Sequence, residues 1–206
     1  MNKASLACLL ALAPAVAWAN IIPTGTSITG AGPYMWSYQL QLAADGDVSS
    51  GAAPPSNPVP HDNLGFASFF TLYDFAGYVD GSCAGPVDWV CTAQAVGFTP
   101  DDVAPVDAAG IINLTWAHLT GPTLLGQPAG IDLGQFTAMS IYNTERMVSY
   151  TSRTIKNAGS QAGTIADNVG NTRGPVSTSV PEPASLGMLG LGLAALVAAR
   201  RRKSRV

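Results

Sequence analysis

Short apolar runs, some alternating and some continuous, are separated along the interior of the chain by clusters of Gly, Pro, Asp and Asn. Tyr34 to Leu42 alternates cleanly. Trp36, Tyr38, Leu40 and Leu42 point one way, and Ser37, Gln39 and Gln41 point the other. A two-residue period of this kind predicts a half-buried strand. Residues 66–75 are apolar on both faces and predict a strand covered on both sides. Further strands are expected within 87–96, 111–119, 135–142 and 147–155, with a last one inside 161–169. In 111–119 the face carrying Ile112, Leu114 and Trp116 is the better core face. No long apolar 3.6-residue period occurs between the two ends, and no repeat at solenoid or propeller spacing. Six or seven strands without a strong helix predict an all-β body. The expected architecture is a single small β-sandwich, jelly-roll or immunoglobulin-like, over residues 20–170.

Two stretches are punctuation. Residues 43–63 hold Pro54, Pro55, Pro58 and Pro60 among Ser, Gly and Asp. They read as a long exposed loop or irregular crossover, either a binding loop or a flexible insertion. Residues 157–180 are rich in Gly, Ser, Thr and Asn, and their later part, 171–180, reads as a linker.

The ends follow other rules. Lys3 is followed by an apolar stretch from Ala4 to Val16, and Ala17-Trp18-Ala19 is a small-x-small cleavage site. Residues 1–19 therefore read as a secretory signal peptide, with Ala17 and Ala19 at the cleavage site. Seven residues before Cys8 leave no room for a lipoprotein signal. Near the other end, Pro181-Glu182-Pro183 is followed by an uncharged run over 184–199 and then by Arg200, Arg201, Arg202, Lys203 and Arg205. Sixteen uncharged residues make a short transmembrane helix of about 24 Å. Arg200, Arg201, Arg202 and Lys203 would hold its end in the cytoplasm and leave the body outside.

Charge narrows the partners. Between Asn20 and Val180 four basic residues (Arg146, Arg153, Lys156, Arg173) face twelve acidic ones, eleven of them Asp, a net of −8. A body this acidic repels nucleic acid and anionic lipid. With Cys8 discarded, Cys83 and Cys91 remain, flanking the turn pair Gly85-Pro86. Export favours their oxidation, so a disulfide is expected.

Catalytic signals are sparse. His61 and His118 are the two histidines. There is no H-E-x-x-H, no G-x-S-x-G elbow, no P-loop and no dinucleotide fingerprint. Asp45-Gly46-Asp47 and Asp101-Asp102 are oxygen-rich but fit turns better than a calcium loop. Neither catalytic residues nor metal ligands are expected, and no cofactor. Trp36, Trp89, Trp116, Tyr34, Tyr78 and Tyr142 offer a sugar-stacking platform or, more simply, core packing.

The ordered set of Pro181-Glu182-Pro183, short Leu/Gly/Ala helix and Arg-rich end resembles the PEP-CTERM sorting domain over residues 181–206. The resemblance implies an exported protein of a Gram-negative bacterium. Its processing motif would be recognised by an exosortase after passage through the secretion machinery. The tail would hold the cytoplasmic membrane transiently, with the body in the periplasm, before release to the cell surface or the extracellular matrix. It implies a non-enzymatic structural or biofilm role, with matrix polysaccharide as a possible partner. A plain single-pass anchor is the alternative reading of the tail. A carbohydrate-binding module or adhesin is the alternative for the body, and a secreted hydrolase is a further one.

Overall fold

A computed structural model describes residues 20–55 and 57–177. The signal-peptide assignment, the processing motif Pro181-Glu182-Pro183, the apolar segment 184–199 and Arg200 to Lys203 lie outside the described residues. The described residues form ten strands in chain order: β1 (Ile21–Thr29), β2 (Tyr34–Leu42), β3 (Gly46–Val48), β4 (Phe69–Leu72), β5 (Trp89–Gln94), β6 (Asn113–His118), β7 (Leu124–Leu125), β8 (Ile131–Ser140), β9 (Glu145–Lys156) and β10 (Ile165–Pro175). They build two antiparallel sheets. One has the order β1-β2-β8. The other runs β5-β6-β4-β9-β3-β7, with β10 on the free side of β9. The body is all-β, a sandwich of two sheets.

The alternation in β2 is what joins the sheets. Trp36, Tyr38, Leu40 and Leu42 are fully buried, together with Phe136 and Ala138 of β8. They pack with Phe70, Leu72, Leu114, Trp116, Val148 and Tyr150 of the larger sheet in one core. Phe136 sets its ring edge-on to Trp89 and Trp116, at centroid distances of 5.0 and 5.9 Å. Edge-to-face contact of this kind adds to the area buried.

The larger sheet is covered on its other face as well. A second core, containing Val59, Ala67, Phe69, Phe98 and Ala117, lies there. Its cover comes from two long connections, one between β3 and β4 and one between β5 and β6. Their backbones meet where Val59 and Pro100 form a bridge, with Val59 N–H donating to the Thr99 carbonyl at 2.8 Å. This explains why all four residues of β4 and all six of β6 are buried. Of the two readings of 43–63, an exposed loop or an irregular crossover, it favours the crossover. That stretch contains β3, and Val59 is completely enclosed. Hydroxyl groups link the cover to the sheet: the Tyr73 hydroxyl lies 2.6 Å from that of Thr99 and 3.0 Å from that of Thr151. Burial pushes the Tyr73 phenol up to about 12.

The disulfide expected between Cys83 and Cys91 is formed, with a Cα–Cα distance of 5.9 Å. It spans the layers. Ala84, beside Cys83, bridges to Thr137 of β8 in the small sheet, while Cys91 lies in β5 of the large one. One boundary needs correction. The expected linker at 171–180 begins too early, because β10 continues pairing with β9 as far as Pro175 opposite Glu145. No helix among the described residues is long and apolar enough to cross a membrane.

Candidate functional site

The covered face of the larger sheet carries a buried ion pair. Arg153 of β9 and Asp167 of β10 stand directly opposite each other across the strand pair. The guanidinium grips the carboxylate with two hydrogen bonds, Nε to Oδ1 at 2.8 Å and Nη2 to Oδ2 at 2.9 Å. Their side chains are 1% and 0% exposed. A buried pair survives only when its remaining donors and acceptors are satisfied. Arg153 meets that condition by donating to the carbonyls of Pro60 and Val59. Its guanidinium also lies 5.7 Å from the centroid of the Phe69 ring. The pair thus holds the β3–β4 connection down on the sheet.

The same anchoring places His61. The residue follows Pro60 directly, and its backbone N–H donates to Asp101 Oδ1 at 2.9 Å. The imidazole is left between two carboxylates. Its Nδ1 lies 2.8 Å from Asp167 Oδ2 and 3.4 Å from Asp102 Oδ2. Side-chain exposure is 45% for His61 and 47% for Asp102, so this cluster is open to solvent on one side only. Burial first, and the neighbouring Asp167 carboxylate second, hold the Asp102 carboxyl above its ordinary value, with His61 opposing. A groove of about 360 Å³ opens beside the cluster. His61, Asp102, Lys156, Gln161, Thr164 and Asp167 are among its lining residues.

His61, Asp102 and Asp167 are the residues that could hold a metal ion. One ligand atom from each lies within 4.8 Å of the others, and among the described residues this is the only such group. A Ser-His-Asp arrangement would need a hydroxyl on the imidazole. The Thr164 hydroxyl in the same groove donates instead to the Gln161 carbonyl at 2.7 Å.

The structure sorts the residues singled out in the sequence. His118 is buried, 1% exposed, with its ring 5.4 Å from that of Trp89 and Nδ1 without a partner. Burial lowers its imidazole below the ordinary value. It is a core residue. Trp36, Trp89 and Trp116 are core residues too, while Tyr34, Tyr78 and Tyr142 are half-buried. Asp47 accepts hydrogen bonds from the Gly126 backbone and the Asn157 amide, which pins a turn. Of the acidic loop residues, Asp102 alone joins the cluster. Asp167 was invisible as a functional candidate: it lay inside an expected strand, and no spacing links it to positions 61 and 102.

Comparison with known proteins informs the other end of the chain. Residues 179–203 match the family model of the PEP-CTERM protein-sorting motif. No curated protein and no solved structure matches the chain.

Proposed function

We propose that this chain, a carrier of the PEP-CTERM sorting motif, reaches the surface or extracellular matrix of a Gram-negative bacterium as a structural, non-catalytic protein. The motif at 179–203 carries the reading: it supports an exported protein with a membrane-anchored C-terminal sorting signal and an exosortase as processing partner. The finer assignments rest on chemistry. A proline on each side of Glu182 disfavours regular helix, a sequence that suits reading by an enzyme as an extended peptide. Arg200, Arg201, Arg202 and Lys203 orient the segment before them. Cleavage of the signal peptide after Ala19 frees the body, and the tail is removed after recognition. The body remains in the periplasm until then.

Several features of the body suit life outside the cytoplasm. Its disulfide matches an oxidising compartment. Two sheets sharing one core and a second core under long connections make a compact, enclosed unit. The three tryptophans of the body are spent on packing, which favours a structural role over an aromatic sugar-binding platform. Matrix polysaccharide remains the proposed neighbour, met through polar surface.

Replacing Pro181, Glu182 and Pro183 together by alanine tests the reading. Cell fractionation and intact mass should find the variant full length after signal-peptide removal and retained in the inner membrane. The unaltered protein should lack the basic tail and be recovered outside that membrane. Normal release of the triple-alanine variant would overturn the processing assignment.

A further inference from the structure

We propose that His61, Asp102 and Asp167 form a binding site for one divalent transition-metal ion of the zinc class, independent of how the chain is sorted. Three observations converge on it. The ligand atoms come from three separate segments, the β3–β4 connection, the β5–β6 connection and β10, and meet within 4.8 Å. The spacings suit a small tetrahedral ion. Bonds of about 2.0–2.1 Å give a ligand–ligand edge of about 3.3 Å. The Nδ1 to Asp102 Oδ2 distance is 3.4 Å, and the 2.8 Å hydrogen bond to Asp167 Oδ2 needs to open by about half an ångström. The third observation is the support behind the ligands. Asp167 is fixed by the bidentate Arg153 guanidinium, the outer-shell hydrogen bonding that orients a ligating carboxylate. His61 is fixed through its backbone by Asp101.

The donor set selects the ion. Calcium and magnesium take oxygen ligands, six or more of them, and one imidazole with two carboxylates is a poor match. A mixed nitrogen and oxygen set with three protein ligands suits zinc and its first-row neighbours. On binding, the ion takes the place of hydrogen at Nδ1, and a neutral ring changes tautomer, the Nδ1 proton going to water as Nε2 takes one up. The bound imidazole then carries its single proton at Nε2. The two carboxylates, one of them compensated by Arg153, supply the negative charge. The fourth position faces the groove lined by Lys156, Gln161 and Thr164, where water completes the coordination. Three protein ligands plus an open position make the ion accessible from outside, so an oxygen ligand from a neighbouring molecule can displace the water.

The test uses the exported protein as it accumulates in cells, stripped with a chelator. Zinc chloride is titrated in by calorimetry, with calcium chloride in parallel. One zinc per chain should bind, and calcium should give no comparable binding. Asp102→Asn, at an exposed position, should keep the circular dichroism of the parent and weaken zinc at least tenfold, by about the factor that loss of even an outer-shell partner causes. His61→Gln should weaken it similarly. Cobalt(II) should give the visible absorption of a tetrahedral site in the parent and lose it in Asp102→Asn. Failure of the parent protein to take up zinc would overturn the site, as would zinc binding left unchanged in Asp102→Asn. Where His61→Gln fails to fold, the Asp102→Asn result decides alone.

Discussion

At the scale of single residues, the covered face of the larger sheet places a charged pair where apolar side chains would be expected. Arg153 serves Asp167, Val59 and Pro60 at once. Arg153→Met should therefore leave the Asp167 carboxylate buried without its guanidinium, with His61 and the Asp102 carboxyl beside it, and leave the Val59 and Pro60 carbonyls with the Asp101 and Asn63 N–H groups alone. Removing one partner of a buried pair costs about 3–5 kcal/mol. Urea denaturation should show a loss of that size, and the double variant Arg153→Met/Asp167→Leu should recover part of it. His118 gives a pH signature. Burial lowers its folded-state value, and Asp88 opposes this more weakly. In the unfolded chain the ring takes a proton near its ordinary value of about 6.5. Below that pH the unfolded state binds the extra proton and the folded state resists it, so stability contributed by neutral His118 is present above about 6.5 and falls as pH falls. The stability difference between the parent and His118→Gln should shrink from about pH 7.5 to about pH 5.5. A difference that stays constant across that window would remove His118 as a cause.

At the scale of elements, legibility followed the strength of the local pattern. β2 could be read residue by residue, because one of its faces is buried and the other is not. The two-sided apolar run at 66–75 was legible as a covered strand. What covers it was not, because the enclosing connections carry their apolar contacts one residue at a time, as at Val59. β1 went unrecognised: Pro23 and Gly25 interrupt its pattern, and the ladder shifts register between them. β3 and β7 are three and two residues long and exist through pairing with distant partners. The cluster at His61 was illegible for the same reason, since its members belong to segments that only the finished sheet brings together. Two element-scale experiments follow. The Cys83–Cys91 ring stabilises by roughly 2.6 kcal/mol in the chain-entropy model. Replacing both cysteines by alanine should lower the unfolding free energy by about that amount in denaturant titration. Gly126 sits against the Ala43 and Gly46 carbonyls so closely that a Cβ would overlap both. Its N–H donates to the Gly46 carbonyl at 3.0 Å. Gly126→Ala should push β7 off β3 and cost about 1–3 kcal/mol, the range for overpacking. A melting temperature equal to the parent's would show that the turn can shift without loss.

At the scale of the whole molecule, folding and sorting make demands on the same short stretch of chain. The sorting motif begins at residue 179, and β10 runs to Pro175, with Val176 N–H still donating to the Thr144 carbonyl at 2.9 Å. Among the described residues this is the last backbone hydrogen bond toward the C-terminus, and the motif starts three positions on in the sequence. β10 carries Asp167 of the buried pair, and Thr172, Gly174 and Pro175 near its end are buried. A processed protein can therefore keep its fold only if the tail is cut beyond Pro175, which the position of Pro181-Glu182-Pro183 satisfies. Two truncations, each expressed with residues 1–19 in place, separate these demands. Ending the chain after Val180 should leave the thermal unfolding midpoint of the body unchanged, because no residue of β10 is lost. Ending it after Gly170 removes five residues that pair with β9 and uncovers Val148, and should lower the midpoint or prevent accumulation altogether. Equal midpoints for the two truncations would mean that the end of β10 is dispensable. Recovery of the shorter chain outside the inner membrane in normal amount would separate folding from export as well.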